Sequence, residues 1–339
     1  MKQKGNQKQV WLGIGISILC LATIFVFIKP AEIWHVLQTA RYGYVGLSVL
    51  GVFVFMLVRA VRWRFMLGQE VSWLHVFHIQ NIGYMLTNIL PLRIGDVARA
   101  VLIGTVPPIT VAQGVSTMVV ERLLDMLFIV TMLPFTLAEV AALPLWMQEA
   151  ARISGILAVV AIVVLIVAAN QRPFAQRITT NIFNHINKLD TDTWVTRIDN
   201  LLVGLTSLTR FRDGFVLIVL TILTWIPIVF AYYVGLVAVG IEPTVAIAGF
   251  VVCAAAFSIA APSSPGQIGV FHAGVIAALT VVGQPDAEAA SFAFLYHALN
   301  FIFLVLLGLL GVYGTGANIT KVIESTRSFL GREKSSQIT

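Results

Sequence analysis

Apolar stretches of about twenty residues or more alternate with short polar interruptions along the chain, at about 10–29, 43–64, 112–137, 151–170, 214–239 and 287–313. Each is long enough for a helix to cross a bilayer core of about 30 Å. The pattern therefore predicts six crossing helices. Two further apolar regions, 74–105 and 244–282, do not read as single spans. Pro91 and Gly95 cut the first, and Pro262, Pro265, Gly266 and Gly269 cut the second. Each has room for two short helices around a break and is read as a re-entrant hairpin, entering and leaving on one side. If either hairpin crosses fully, the helix count rises. Irregular backbone at membrane depth survives only where protein or a watery cavity satisfies its N–H and C=O groups.

The two breaks share a pattern. "PLRIG" at 91–95 and "PGQIG" at 265–269 both read P-x-x-I-G. The segments that follow, "AQGVSTMVVERLLD" (112–125) and "AEAASFAFLYHALN" (287–300), align Ala112 with Ala287, Ser116 with Ser291 and Leu124 with Leu299. Polar positions coincide as well: Glu121 with Tyr296, Arg122 with His297 and Asp125 with Asn300. The chain thus reads as two repeats of helix, broken hairpin and helix, spanning 43–137 and 214–313. With hairpins that do not cross, the first repeat starts outside and the second inside, so the repeats are inverted. Inverted repeats with broken helices in corresponding places point to a transporter whose site lies between the halves.

Composition agrees with this class. Hydrophobic residues make up 58% of the chain and charged residues 11%, against about 25% charged in a typical soluble domain. The expected fold is an all-α polytopic membrane protein, one membrane domain over 1–339, with a cytoplasmic tail at 316–339. The net charge of +6 sits in short clusters beside apolar segments, which argues for cytoplasmic flanks rather than a nucleic-acid partner. In the six-crossing topology one face collects sixteen Lys and Arg, among them Arg59, Arg62 and Arg64, and the other only Lys29, Arg41 and Arg152. The basic face, with both termini, is expected in the cytoplasm, and the membrane is read as the plasma membrane. Trp11, Trp34, Trp63 and Trp73 fall near segment ends, where interfacial aromatics belong. The 171–213 loop carries apolar residues at helical spacing, fitting an interfacial helix on the cytoplasmic leaflet or a partner-docking surface.

Ionisable side chains at membrane depth cluster in and after the first break: Arg93, Asp96, Arg99, Glu121, Arg122 and Asp125. Each costs at least about 2.5–3.5 kcal/mol in lipid, so they must face protein, water or ligand. Arg93/Asp96, Asp96/Arg99 and Arg122/Asp125 are each three apart and can pair along one helix face. The bland account is mutual neutralisation, three arginines against three acids. The functional account places an anion at the break. Arg93 precedes Gly95 where a half-helix can begin, and helix N-termini and arginine both favour anions. Candidate binding residues are Asn88, Arg93, Gly95, Arg99 and Arg122 in the first repeat, and Ser263, Ser264, Gly266, Gln267 and Gly269 in the second. Asp96, Glu121, Asp125, His272, Tyr296, His297 and Asn300 are read as coupling or supporting groups. "HVFH" (75–78) lacks further ligands for a metal, and no cofactor is expected. There is no G-x-x-x-x-G-K-S/T loop and no G-x-S-x-G elbow, so neither nucleotide hydrolysis nor an esterase-type nucleophile is indicated.

"NIGYMLTNILPLRIGDVARAVLIG", "VVERLLDMLFIV" and "APSSPGQIGVFHAGVIAAL", in that order, resemble the transmembrane region of the lysylphosphatidylglycerol synthase/flippase family. The similarity runs over nearly all of 10–315. It implies a flippase-like domain that moves anionic or modified lipids, or lipid-linked intermediates, between leaflets. Asn88, Pro91, Arg93, Gly95, Arg99, Glu121, Arg122, Asp125, Pro265, Gly266 and Gly269 fall on the family's motif positions. Full synthases carry a soluble aminoacyl-transferase domain after the membrane part, whereas about two dozen residues follow the last helix here. The protein is therefore expected not to be an enzyme. Its expected partners are membrane lipids and, through 171–213, an enzyme of lipid or cell-envelope glycan metabolism. A carrier of a soluble anion and a non-catalytic scaffold are the alternatives.

Overall fold

The structure is a computed structural model that describes residues 3–138, 145–170, 211–260 and 264–336. Most of the 171–213 loop, and Ser263, lie outside the described residues. Those residues form twelve α-helices and two single 3-10 turns, with no strand among them. In chain order the helices are α1 (Gln3–Phe27), α2 (Pro30–Thr39), α3 (Tyr42–Met66), α4 (Trp73–Ile89), α5 (Ile94–Ile103), α6 (Val111–Ala138), α7 (Leu145–Asn170), α8 (Phe211–Ala238), α9 (Val245–Ala260), α10 (Val270–Val281), α11 (Asp286–Thr315) and α12 (Ile319–Ser336). Among the described residues, three helices are long and apolar enough to cross a membrane: α3, α8 and α11. α1 and α2 together make a fourth candidate, bent by 81° at Lys29 and Pro30.

Both interrupted regions are helical hairpins. Pro91 begins a 3-10 turn between α4 and α5, and Pro265 begins another between α9 and α10. Proline has no N–H and its ring collides with the preceding helical turn, so a helix ends before it. The third residue of each turn, Arg93 and Gln267, adopts left-handed backbone (φ 53° and 59°). Left-handed backbone is uncommon for residues other than glycine. The chain then reverses closely enough that no side chain fits between the arms. A Cβ on Gly95 would lie 2.1 Å from the Gly83 carbonyl oxygen and 2.3 Å from the Thr87 nitrogen. In the second hairpin, a Cβ on Gly274 would lie 2.6 Å from the Ser258 Cβ.

The hairpins enter from opposite ends of the molecule. Leu67, Val71, Ile103 and Ile109 share one core cluster, and Gln113 donates to the Leu67 carbonyl (3.4 Å). Both outer ends of α4–α5 therefore lie where α3 finishes. At the other end, the Arg41 N–H donates to the Ala238 carbonyl (2.8 Å), and Ile33, Ile241 and Val282 share a second cluster. Both outer ends of α9–α10 lie there. α3 runs along α8, α4 along α11 and α9 along α6, while α5 packs on α6 and α10 on α11. Almost every contact of the first set of helices thus has a counterpart in the second. Helix-to-helix approach uses glycine throughout: Gly51 of α3 faces Ala231 and the Pro227 carbonyl of α8, and Gly308 and Gly311 of α11 face Met85 and His78 of α4. The close approach that Gly308 and Gly311 allow is thus used inside the chain.

Two expectations about the flanks need correction. Arg59 and Arg62 do not face an aqueous flank: they are 5% and 0% exposed, because both turn inward to carboxylates of α6. Trp63 is not interfacial. It is fully buried, and its indole N–H donates to Thr117 (3.0 Å). Trp11 and Trp34 are exposed, as an interfacial position requires.

Candidate functional site

Where the hairpin tips meet, a cleft holds about 1270 Å³ of empty space, its open mouth included. Its walls come from both sets of helices. Tyr84, Thr87, Asn88 and Arg93 form the first break's side, Gly266, Gln267 and His297 the second's, and Arg59, Arg122, Asp125, Trp225, Tyr296 and Asn300 are among the other residues of the lining.

Behind and beside Arg93 lies a chain of ion pairs. Arg59 Nε donates to Glu121 Oε1 (2.8 Å) and its Nη2 to Asp125 Oδ2 (2.7 Å). Arg62 takes the other Asp125 oxygen (2.8 Å), and Arg99 takes Glu121 Oε2 (2.8 Å) while its guanidinium sits 4.5 Å above the Trp63 ring. Arg122 grips both oxygens of Asp96 (2.8 and 2.7 Å). The helical-spacing pairs Asp96/Arg99 and Arg122/Asp125 do not form, because facing helices offer closer guanidinium geometry. Arg93 stands apart: its Nε is 4.0 Å from Asp96 Oδ2 and has no hydrogen-bond partner. Neutralisation within the cluster is thus incomplete. Five arginines face three carboxylates, a formal excess of two positive charges.

The cleft also collects unpartnered polar atoms. Five residues of its lining hold a polar atom that is shielded from solvent and has no hydrogen-bond partner: Tyr84 Oη, Thr87 Oγ1, Asn88 Nδ2, Arg93 Nε and Trp225 Nε1. Three of the five are donors only, and the two hydroxyls can donate. Buried polar atoms are usually paired, and six more without a partner, Arg62 Nε and Arg99 Nε among them, belong to residues outside this lining.

The candidate residues separate into groups. Asn88, Arg93, Arg122, Gly266 and Gln267 line the cleft, as do Asp125, Tyr296, His297 and Asn300. Gly95 lies in the contact between α4 and α5. Arg99 and Glu121 are buried against each other behind the cleft wall. Ser264 and Gly269 face α1 instead: the Ser264 N–H donates to Ser17 Oγ (3.1 Å), and a Cβ on Gly269 would lie 2.5 Å from the Ser17 carbonyl oxygen. The two histidines serve the second break. His297 Nε2 donates to the Gly266 carbonyl (2.7 Å), and the Gly269 N–H donates to His272 Nδ1 (3.1 Å). Their rings are 4.7 Å apart. Sequence reasoning missed Arg59, Arg62, Thr87 and Trp225. Arg59 and Arg62 are spaced three apart within an apolar helix, which was the available signal. A lone threonine or tryptophan in an apolar run carries none.

These features define a polytopic helical membrane protein with a cationic, donor-rich cleft between two broken hairpins. The chain belongs to the family described as the lysylphosphatidylglycerol synthase transmembrane region, which matches residues 10–308. It is also similar to a UPF0104 membrane protein of Methanothermobacter thermautotrophicus, 23% identical over 304 residues that cover 86% of this chain and 90% of the relative.

Proposed function

We propose that the cleft takes the anionic head group of a membrane lipid, or of a lipid-linked intermediate, and carries it between leaflets. The observation that carries this reading is the two-charge excess of arginine beside unpartnered donors at the meeting point of the breaks. Acyl or prenyl tails remain in the bilayer, so only the head group needs a polar path. In this reading α1, α3, α6, α7, α8 and α11 are six crossings, and the hairpins are re-entrant from opposite faces. The two halves are then inverted repeats that rock against each other and expose the cleft alternately. The matching helix contacts of the two halves and their oppositely placed hairpin ends support this topology. Both termini lie in the cytoplasm, the membrane is the plasma membrane, and a lipid gradient or protons drive the step. The protein itself catalyses no covalent chemistry and works with a partner enzyme of lipid or envelope-glycan metabolism.

Reconstitution in liposomes tests the reading. Acyl-chain-labelled anionic lipids are expected to exchange between leaflets faster than in empty vesicles. Uptake of a soluble anion without lipid exchange would replace the flippase with a carrier. Neither activity, in protein shown to be folded, would sink the transport reading.

A further inference from the structure

We infer that the head group held at the first break is a phosphate monoester, doubly charged, rather than the singly charged phosphodiester of common glycerophospholipids. This rests on the reading of the cleft as an anionic head-group site and names the chemistry of its ligand.

Charge balance comes first. Of the Arg, Lys, Asp and Glu side chains that line the cleft among the described residues, Arg59, Arg93 and Arg122 are positive and only Asp125 is negative. The partners beyond the lining add no net charge: Arg62 on Asp125 and Arg99 on Glu121 bring two positive charges, and Glu121 with the Asp96 held by Arg122 brings two negative. Both counts leave two positive charges uncompensated. Arg93 and Arg122 carry this excess 37% and 33% exposed in the cleft, where it is only partly screened, so the best ligand supplies two negative charges and not one. Above about pH 6 a phosphate monoester does so.

Donor count points the same way. Thr87, Asn88, Arg93 and Trp225 line the cleft, and each carries a buried donor without a partner (Oγ1, Nδ2, Nε and Nε1) that a ligand reaches once the side chain turns. A monoester offers three terminal oxygens to such donors. A diester offers two. Among the described residues the cleft offers no free carboxylate to a cationic head group, because both oxygens of Asp125 are engaged by Arg59 and Arg62 and both oxygens of Asp96 by Arg122. Zwitterionic and aminoacylated lipids would bring an ammonium group to a site that has no free acid.

The test is thermal stabilisation of the full-length protein in detergent, which reads binding independently of transport. The probes are dioctanoyl phosphatidic acid, dioctanoyl phosphatidylglycerol and glycerol 3-phosphate. At about pH 8 the phosphatidic acid is expected to half-saturate the shift at a concentration about tenfold or more below phosphatidylglycerol, the factor one further unit charge provides in a partly buried site. The preference should vanish near pH 5, where a monoester keeps a single charge. It should also vanish in Arg93→Asn, which suits left-handed backbone, and persist in part in Arg93→Lys. Glycerol 3-phosphate acting as well as phosphatidic acid would support the monoester and overturn its lipid source, and with it the flippase. Equal or stronger stabilisation by phosphatidylglycerol would overturn the monoester and leave head-group translocation standing. No stabilisation by any probe would overturn the monoester, and leaflet exchange would then judge translocation by itself.

Discussion

Arg93 differs from the other four arginines of the cluster in having no carboxylate within hydrogen-bond distance, and it occupies left-handed backbone at the lip of the cleft. Its charge and its backbone can be separated. Asparagine tolerates left-handed geometry better than alanine, which loses roughly 1–2 kcal/mol there. Arg93→Asn should therefore unfold at a higher temperature than Arg93→Ala, although both lose the charge. Glu121 plays the opposite part, compensating Arg59 and Arg99 in a fully buried position. Glu121→Gln should cost about 3–5 kcal/mol, the penalty for stranding a buried charge. Asp96→Asn should cost about 1 kcal/mol or less, since its partner Arg122 is a third exposed. Denaturant titration in detergent compares the two. Sequence alone located Arg93, Asp96, Glu121 and Arg122, because charged residues in apolar runs are conspicuous. It could not say which acid meets which arginine. Those partners lie up to 66 residues apart, as for Arg59 and Asp125, and helix spacing ranks only local pairs.

At the level of helices, the breaks were legible because proline and glycine have direct backbone consequences. Pro91 and Pro265 each open a 3-10 turn, and helices start after Arg93 and Gly269, whereas Pro134 and Pro227 stand inside α6 and α8. The left-handed turns at Arg93 and Gln267 were not legible, since neither residue is glycine and only the reversal of the chain imposes that geometry. Nor was the use of Gly95, which reads as a ligand cradle in sequence and is a packing point between α4 and α5. Gly95→Ala should therefore prevent the first hairpin from closing, because a backbone carbonyl and a backbone nitrogen block the methyl group. Gly274→Ala meets only the Ser258 side chain. It should be milder, and Ser258→Gly should restore it. Expression and monodispersity by size-exclusion chromatography separate these outcomes.

For the whole molecule, the opposite placement of the hairpin ends predicts a labelling pattern. In a protein with Cys20 and Cys253 replaced, new cysteines at Glu70 and Thr110 should react with an impermeant thiol reagent from one side of the membrane. Cysteines at Glu242 and Gln284 should react from the other. A hairpin that crosses fully would put Glu70 and Thr110, or Glu242 and Gln284, on opposite sides. Charge asymmetry in the sequence suggested this topology even though Arg59 and Arg62 were counted on the wrong side of the protein surface. Thirteen of the other fourteen basic residues counted on that face fall near segment ends, in 171–213 or in the 316–339 tail, and Arg64 binds the Gln69 and Val71 carbonyls at the mouth of the α3–α4 turn. Both misplaced arginines lie within two helical turns of that same end of α3.

The most direct measurement is leaflet exchange of an acyl-chain-labelled anionic lipid in proteoliposomes containing wild-type, Arg93→Lys or Arg93→Asn protein, each shown to be folded. Faster exchange than in empty vesicles for the wild type, partial exchange for Arg93→Lys and about tenfold or greater loss for Arg93→Asn is the predicted result. Wild-type exchange that Arg93→Asn leaves unchanged would contradict a translocation site at the meeting of the two breaks.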